Sequence, residues 1–89
     1  MNATASDTRR AYAEKVLACI VEATGKGHTV FVSTMTKVTA IKAKHMVMAG
    51  HPMFKIATDG SLLMIEGWKA GKPRYTDATG CGFRARDDR

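Results

Sequence analysis

Met35-Thr36-Lys37-Val38-Thr39-Ala40-Ile41-Lys42-Ala43-Lys44-His45-Met46-Val47-Met48-Ala49-Gly50 is the stretch whose reading decides the fold. Wound at about 100° per residue, Met35, Val38, Ile41, Met46, Met48 and Ala49 fall on one broad arc, with Lys37 and Lys44 opposite it. That pattern predicts an amphipathic helix from Met35 to Ala49. Ser33 or Thr34 supplies an N-cap hydroxyl, Gly50 a C′ residue, and His51-Pro52 a stop, because the residue before proline avoids the helical region. Ala40, Ala43 and Val47 would form a small-residue strip against which the first helix packs.

Upstream, Ser6 or Asp7 caps a first helix running to about Thr24 and ended by Gly25-Lys26-Gly27. Its expected apolar stripe is Tyr12, Val16, Cys19, Ile20 and Ala23, with Ala13 and Leu17 beside it and Arg10, Glu14, Lys15 and Glu22 in solvent. His28 to Val32 reads as a short strand, or as the lead-in to a short helix through Thr34; its β-branched and aromatic content favours the strand.

Downstream the period changes to two. Met53 to Thr58 and Ser61 to Glu66 flank Asp59-Gly60, the pair best suited to a type I′ turn, and so predict a hairpin. Phe54, Ile56, Leu63 and Ile65 are its expected inward residues. The unbroken Leu62 to Ile65 run suggests a second strand covered on both sides or paired centrally. Gly67 to Tyr75 reads as a glycine-broken loop with three cations, and Arg74 to Thr76 can add an edge strand. Residues 1–6 and 77–89 are expected to be flexible tails of one small domain.

The helix, strand, helix, hairpin order resembles a minimal winged helix-turn-helix DNA-binding protein. The likeness covers roughly Val16 to Ile65 and rests on layout, carried by the run from Ala49-Gly50-His51-Pro52 through Asp59-Gly60 to Met64. A standard member has a further helix before the recognition helix, for which Gly27 to Thr34 leaves little room. The resemblance implies an α+β fold of order α-β-α-β-β, two helices packed on a small antiparallel hairpin or sheet, with residues 35–49 as recognition helix. It also implies a DNA-binding regulator of phage or plasmid type, acting as a homodimer.

Composition points the same way. Fourteen Lys and Arg against eight Asp and Glu give a formal charge of +6, which concentrates polyanions at the surface. The expected phosphate contacts are Thr36, Lys37, Lys42 and Lys44 on the helix and Lys55, Lys69, Lys72 and Arg74 beyond it. Trp68 and Tyr75 are stacking candidates, with RNA or a single strand as partner, although such aromatics more often cap a small core. Lysine is a point charge, so these side chains position more than they specify.

Other classes find less support. His28, His45, His51 and Cys81 lack metal-ligand spacing, and no metal or cofactor is expected. Neither glycine-lysine loop opens a helix as a phosphate-binding loop does, and Cys81 has no neighbouring base, so an enzyme is not expected. Cys19 reads as a core hydrophobe and Cys81 as exposed. The absence of an 18-residue apolar run or a leader pattern predicts a cytoplasmic protein without a membrane span. The alternative function is a protein-binding inhibitor or adaptor, docking through Met46, Met48, Met53 and Met64.

Overall fold

The computed structural model describes residues 5–87. Helix α1 spans Ala5–Gly25. Eight strands follow: β1 His28–Ser33, β2 Val38–Ile41, β3 Val47–Met48, β4 His51–Pro52, β5 Phe54–Ile56, β6 Leu62–Lys69, β7 Lys72–Asp77 and β8 Gly82–Asp87. They form two three-stranded antiparallel sheets, β2-β1-β8 and β5-β6-β7, and a separate β3-β4 hairpin. The protein is α+β, and α1 is the one α-helix among the described residues.

The predicted second helix is therefore absent, and with it the two-helix winged-helix arrangement. Residues 35–50 form a turn, a strand, a 3-10 turn at Ala43–His45 and one arm of a hairpin. Val38-Thr39-Ala40-Ile41 alternates outward and inward as a strand does, and β1 supplies the ladder partner that a helical reading ignores. Met35 and Val38, placed on the helix's apolar arc, are exposed, Val38 at 63%. The Ala40, Ala43, Val47 strip does not form, since each is exposed and lies in a different element. Gly50 keeps its positive φ of 82°, but with Ala49 at 49° it makes the two-residue turn between β3 and β4. Positive φ at both central positions is type I′ geometry.

The residues 77–89 expected as a tail instead supply β8, which pairs with β1 from His28↔Asp87 to Ser33↔Gly82. At the other end Ala5 and Ser6 belong to α1, and residues 1–4 and 88–89 lie outside the described residues. The strand reading of His28 to Val32 is borne out, and β1 is central in its sheet.

The Asp59-Gly60 hairpin forms with a different turn. Only Gly60 has positive φ, Gly60 N–H donates to Ala57 O at 2.9 Å, and Ala57 N–H donates to Ser61 O at 2.9 Å. That is a three-residue loop closed by a glycine bulge, with Asp59 Oδ1 accepting from Ser61 N at 2.9 Å. The inward pair on β6 is Leu62 and Met64, opposite Ile56 and Phe54, while Ile65 lies on the other face and receives its cover there. Central pairing of β6 between β5 and β7 accounts for its unbroken apolar run.

Helix α1 lies against β1, β5 and β6 and so joins the two sheets. Ile20, Val30, Val32, Ile41, Leu62 and Met64 are almost wholly buried between them. Of the expected stripe, Ile20 is buried and Val16 and Ala23 pack against the core, as do Ala13 and Leu17 beside it, but Tyr12 is 56% exposed, Cys19 is exposed, and Thr24 is buried instead. Alanines on several sides of α1 blur its periodicity, so the strands decide which arc is buried. Buried Thr24 satisfies its hydroxyl by donating to Ile20 O at 3.0 Å. Arg10, expected in solvent, reaches the hairpin turn and donates to Ala57 O at 3.2 Å and Thr58 O at 3.1 Å.

Candidate nucleic-acid interface

Beyond Ile65, β6 has lost its β5 partner, since that ladder ends at Phe54↔Met64. From Gly67 to Arg74, β6 and β7 continue as a two-stranded ribbon after a bulge at Glu66. What was expected to be a loop is thus ordered by pairing. Its tip is Ala70-Gly71, with φ of 54° and 76°, a second type I′ turn. Register sets Lys69 directly opposite Lys72. Arg74 follows Lys72 by two residues, on the same face and opposite Gly67, whose missing side chain leaves that face open. Lys69, Lys72 and Arg74 are all exposed, and the nearest acids in sequence, Glu66 and Asp77, lie outside the Gly67 to Arg74 ribbon.

The opposite ribbon face carries the two aromatics. Trp68 meets the His51 ring edge-on, with centroids 5.8 Å apart, and remains 41% exposed. Tyr75 donates its hydroxyl to Pro52 O at 2.7 Å, and the Lys55 ammonium lies 4.0 Å from its ring centroid. The short β3-β4 hairpin therefore braces the ribbon through both rings. Tyr75 already spends one ring face on Lys55, which leaves Trp68 as the more open aromatic.

The other expected contacts are dispersed. Thr36 and Lys37 lie in the turn between β1 and β2, closed by Thr34 N–H donating to Lys37 O at 2.9 Å. Lys37 leans to the ribbon's root, donating to Glu66 O at 3.5 Å across a groove of about 320 Å³ that Trp68 also lines. Lys42 follows β2 and Lys44 sits in the 3-10 turn, both exposed and away from the ribbon ladder. Lys55 faces the Tyr75 side, opposite to Lys72 and Arg74. Three of the eight contacts thus share one face and five do not, Lys37 lying in the groove that Trp68 lines on the other side.

Two arginines were missed. Arg84 and Arg86 sit on β8, which the sequence reading assigned to a tail; the available signal was the alternation Phe83-Arg84-Ala85-Arg86.

The acids near these elements serve turns. Ser61, by its backbone and side-chain hydrogen bonds, holds the Asp59 carboxyl below its ordinary pKa, and Thr79 does the same for Asp77. Burial pushes the Cys81 thiol up; half-buried against the core rather than exposed, it is a poorer thiolate source than a free cysteine. Cys19 and Cys81 are both free thiols. No three His, Cys, Asp or Glu side chains cluster among the described residues, and no helix there is long and apolar enough to cross a membrane. Comparison with family models, curated proteins and solved structures gave no match, so these residues are read from their geometry.

Proposed function

We propose that the protein binds nucleic acid, with the β6-β7 ribbon as its principal contact. The observation that carries this reading is the placement of Lys69, Lys72 and Arg74 on one exposed ribbon face without an acid among them. A two-stranded ribbon fits the roughly 12 Å width of a duplex major groove. There the two lysines would neutralise phosphates, and Arg74 would offer the one forked donor able to grip a phosphate or a guanine edge.

Two lysines and one arginine favour phosphate contact over base readout, so one copy would discriminate weakly among sequences. A regulatory role would then need a second copy to lengthen the site.

Fluorescence anisotropy on a generic duplex tests the reading. Each phosphate contact contributes about 0.9 to the slope of log K against log salt. Replacing Lys69, Lys72 and Arg74 together by alanine should flatten that slope by about 2.7, with the circular dichroism melt unchanged. No binding at about 50 mM salt, or an unchanged slope in the triple variant, refutes it.

The adaptor alternative has less to stand on. Met53 and Met64 are buried, and Met46 and Met48 are half-buried against the core, which favours core filler over a docking surface.

A further inference from the structure

The β2-β1-β8 sheet has one covered face and one open one. Val30 and Val32 point to the core, opposite Ile41 and Thr39 on β2 and Ala85 and Phe83 on β8. By alternation, Thr29, Phe31 and Ser33 point the other way. Register fills in the rest of that face: Ala40 and Arg84 flank Phe31, Val38 and Gly82 flank Ser33, and Arg86 lies beside Thr29. One step beyond the last β1-β2 pair, Lys42 lies on Thr29's other side, still extended with φ of −107°.

Phe31 is half-buried and its row is otherwise exposed, whereas Thr29 is 4% exposed; the accessible part is the Phe31 and Ser33 rows, with Arg86 and Lys42 at the border. A depression of about 280 Å³, lined by Phe31, Ser33, Val38, Gly82, Phe83 and Arg84, opens at the Ser33 end of this face. That is just under the ~300 Å³ at which small-ligand sites begin. None of the strand residues that the register places on this face is Asp or Glu; Asp87 pairs with His28 on the other.

We propose that this open face is a platform for single-stranded nucleic acid, with a base stacked on Phe31 and the backbone tracked by Arg84, Arg86 and Lys42. An aromatic ring on a central strand, bordered by cations on the strands beside it, joins the two elements that single-strand binding uses: a sequence-tolerant stacking surface and a phosphate track. Arginine adds a planar guanidinium that itself stacks on bases.

The same charges argue against a second copy as occupant. Antiparallel addition of β8 to another β8 with matched faces sets Arg84 opposite Arg84 or Arg86, and like charges directly opposed destabilise the pair. The platform uses residues separate from the ribbon and does not rest on the ribbon's function.

The test is anisotropy with an oligothymidylate of about ten nucleotides, inside the ~4–16 nucleotide range of known single-strand sites, and with a duplex of equal length. Phe31→Ala should weaken single-strand binding by about 5- to 150-fold and leave the salt slope alone, because no cation is removed. Phe31→Leu, which keeps apolar bulk but no ring, should lose most of the same affinity while melting as the parent does. Arg84→Gln with Arg86→Gln should flatten the single-strand slope by about 1.4. The ribbon triple variant should keep its oligothymidylate affinity, so either surface can fail alone. A folded Phe31→Leu with parental affinity, or no oligothymidylate binding at about 50 mM salt, overturns the platform. Displacement of the oligonucleotide by polyglutamate with the same Phe31 dependence would also overturn it, in favour of an acidic peptide site.

Discussion

Gly60 is where the first turns of α1 meet the β5-β6 loop, and replacing it by alanine carries two separable penalties. Its φ of +88° lies in the left-handed region, which costs an L-residue about 1–2 kcal/mol. The added Cβ would also stand 2.6 Å from Ser6 O and 2.9 Å from Arg10 N. Both are backbone atoms of a helix, so no rotamer change relieves the clash; the helix end must move, loosening Arg10 from Ala57 and Thr58. Overpacking of this kind typically costs a further ~1–3 kcal/mol.

Gly71 isolates the first penalty. Its φ is +76°, and nothing lies within 4 Å of an added Cβ, so Gly71→Ala carries the backbone cost alone. Urea unfolding followed by circular dichroism should place Gly60→Ala about 2–5 kcal/mol and Gly71→Ala about 1–2 kcal/mol below the parent. For a chain of 89 residues, whose whole stability is on the order of 4–13 kcal/mol, the first loss is large. Equal losses at the two glycines would refute the tight packing of α1 on the turn.

Further expectations follow from the same geometry. Ala49 and Ala70 hold positive φ without the freedom of glycine. Ala70→Gly should therefore raise stability by roughly 0.5–1 kcal/mol, read as a thermal midpoint about 2–8 °C higher. Met64 is fully buried and Met35 fully exposed, so Met64→Ala should cost about 2–5 kcal/mol and Met35→Ala under ~0.5 in denaturant titrations; a reversed order would restore the helical reading of residues 35–49. Asp59 and Asp77 have lowered pKa values, so the folded state binds fewer protons than the unfolded state near that range. Their contribution is present above the ordinary carboxylate pKa of about 3.9 and is lost as pH falls through the lower folded values. Asp77→Asn should flatten the acid limb of a stability-against-pH profile, and an unchanged limb would show that Thr79 does not hold the carboxylate.

What the sequence made legible was local. The first helix, the β1 strand and the β5-β6 hairpin each announce themselves within a few residues, through Gly25-Lys26-Gly27, a β-branched run and Asp59-Gly60. Residues 35–50 misled because their apolar spacing suits a helical arc, while their strand character depends on partners. Val38-Thr39-Ala40-Ile41 is short, and only β1 beside it settles the period. Ala-Gly is a weak turn signal compared with Asn-Gly, so neither type I′ turn stood out, and the ribbon at Lys69 to Lys72 read as a loop. Arg84 and Arg86 had little apolar company to mark β8; their strand is imposed from more than fifty positions away in the chain, by the unpaired edge of β1. Consequently the ribbon's cations were read as members of one loop but not as sharing one strand face, and the open face of the β2-β1-β8 sheet was missed.

That β1 draws its second neighbour from Gly82–Asp87 has a consequence for the order of events during synthesis. A chain that has only its residues up to Cys81 available carries the helix, the β6-β7 ribbon and the β1-β2 pair, yet the other edge of β1 shows bare amides and carbonyls. Until Gly82–Asp87 becomes available, no other described strand pairs with that edge. Closure of so distant a pairing is the slow step topology would select, and in that interval the exposed flank is the place where two unfinished chains would stick.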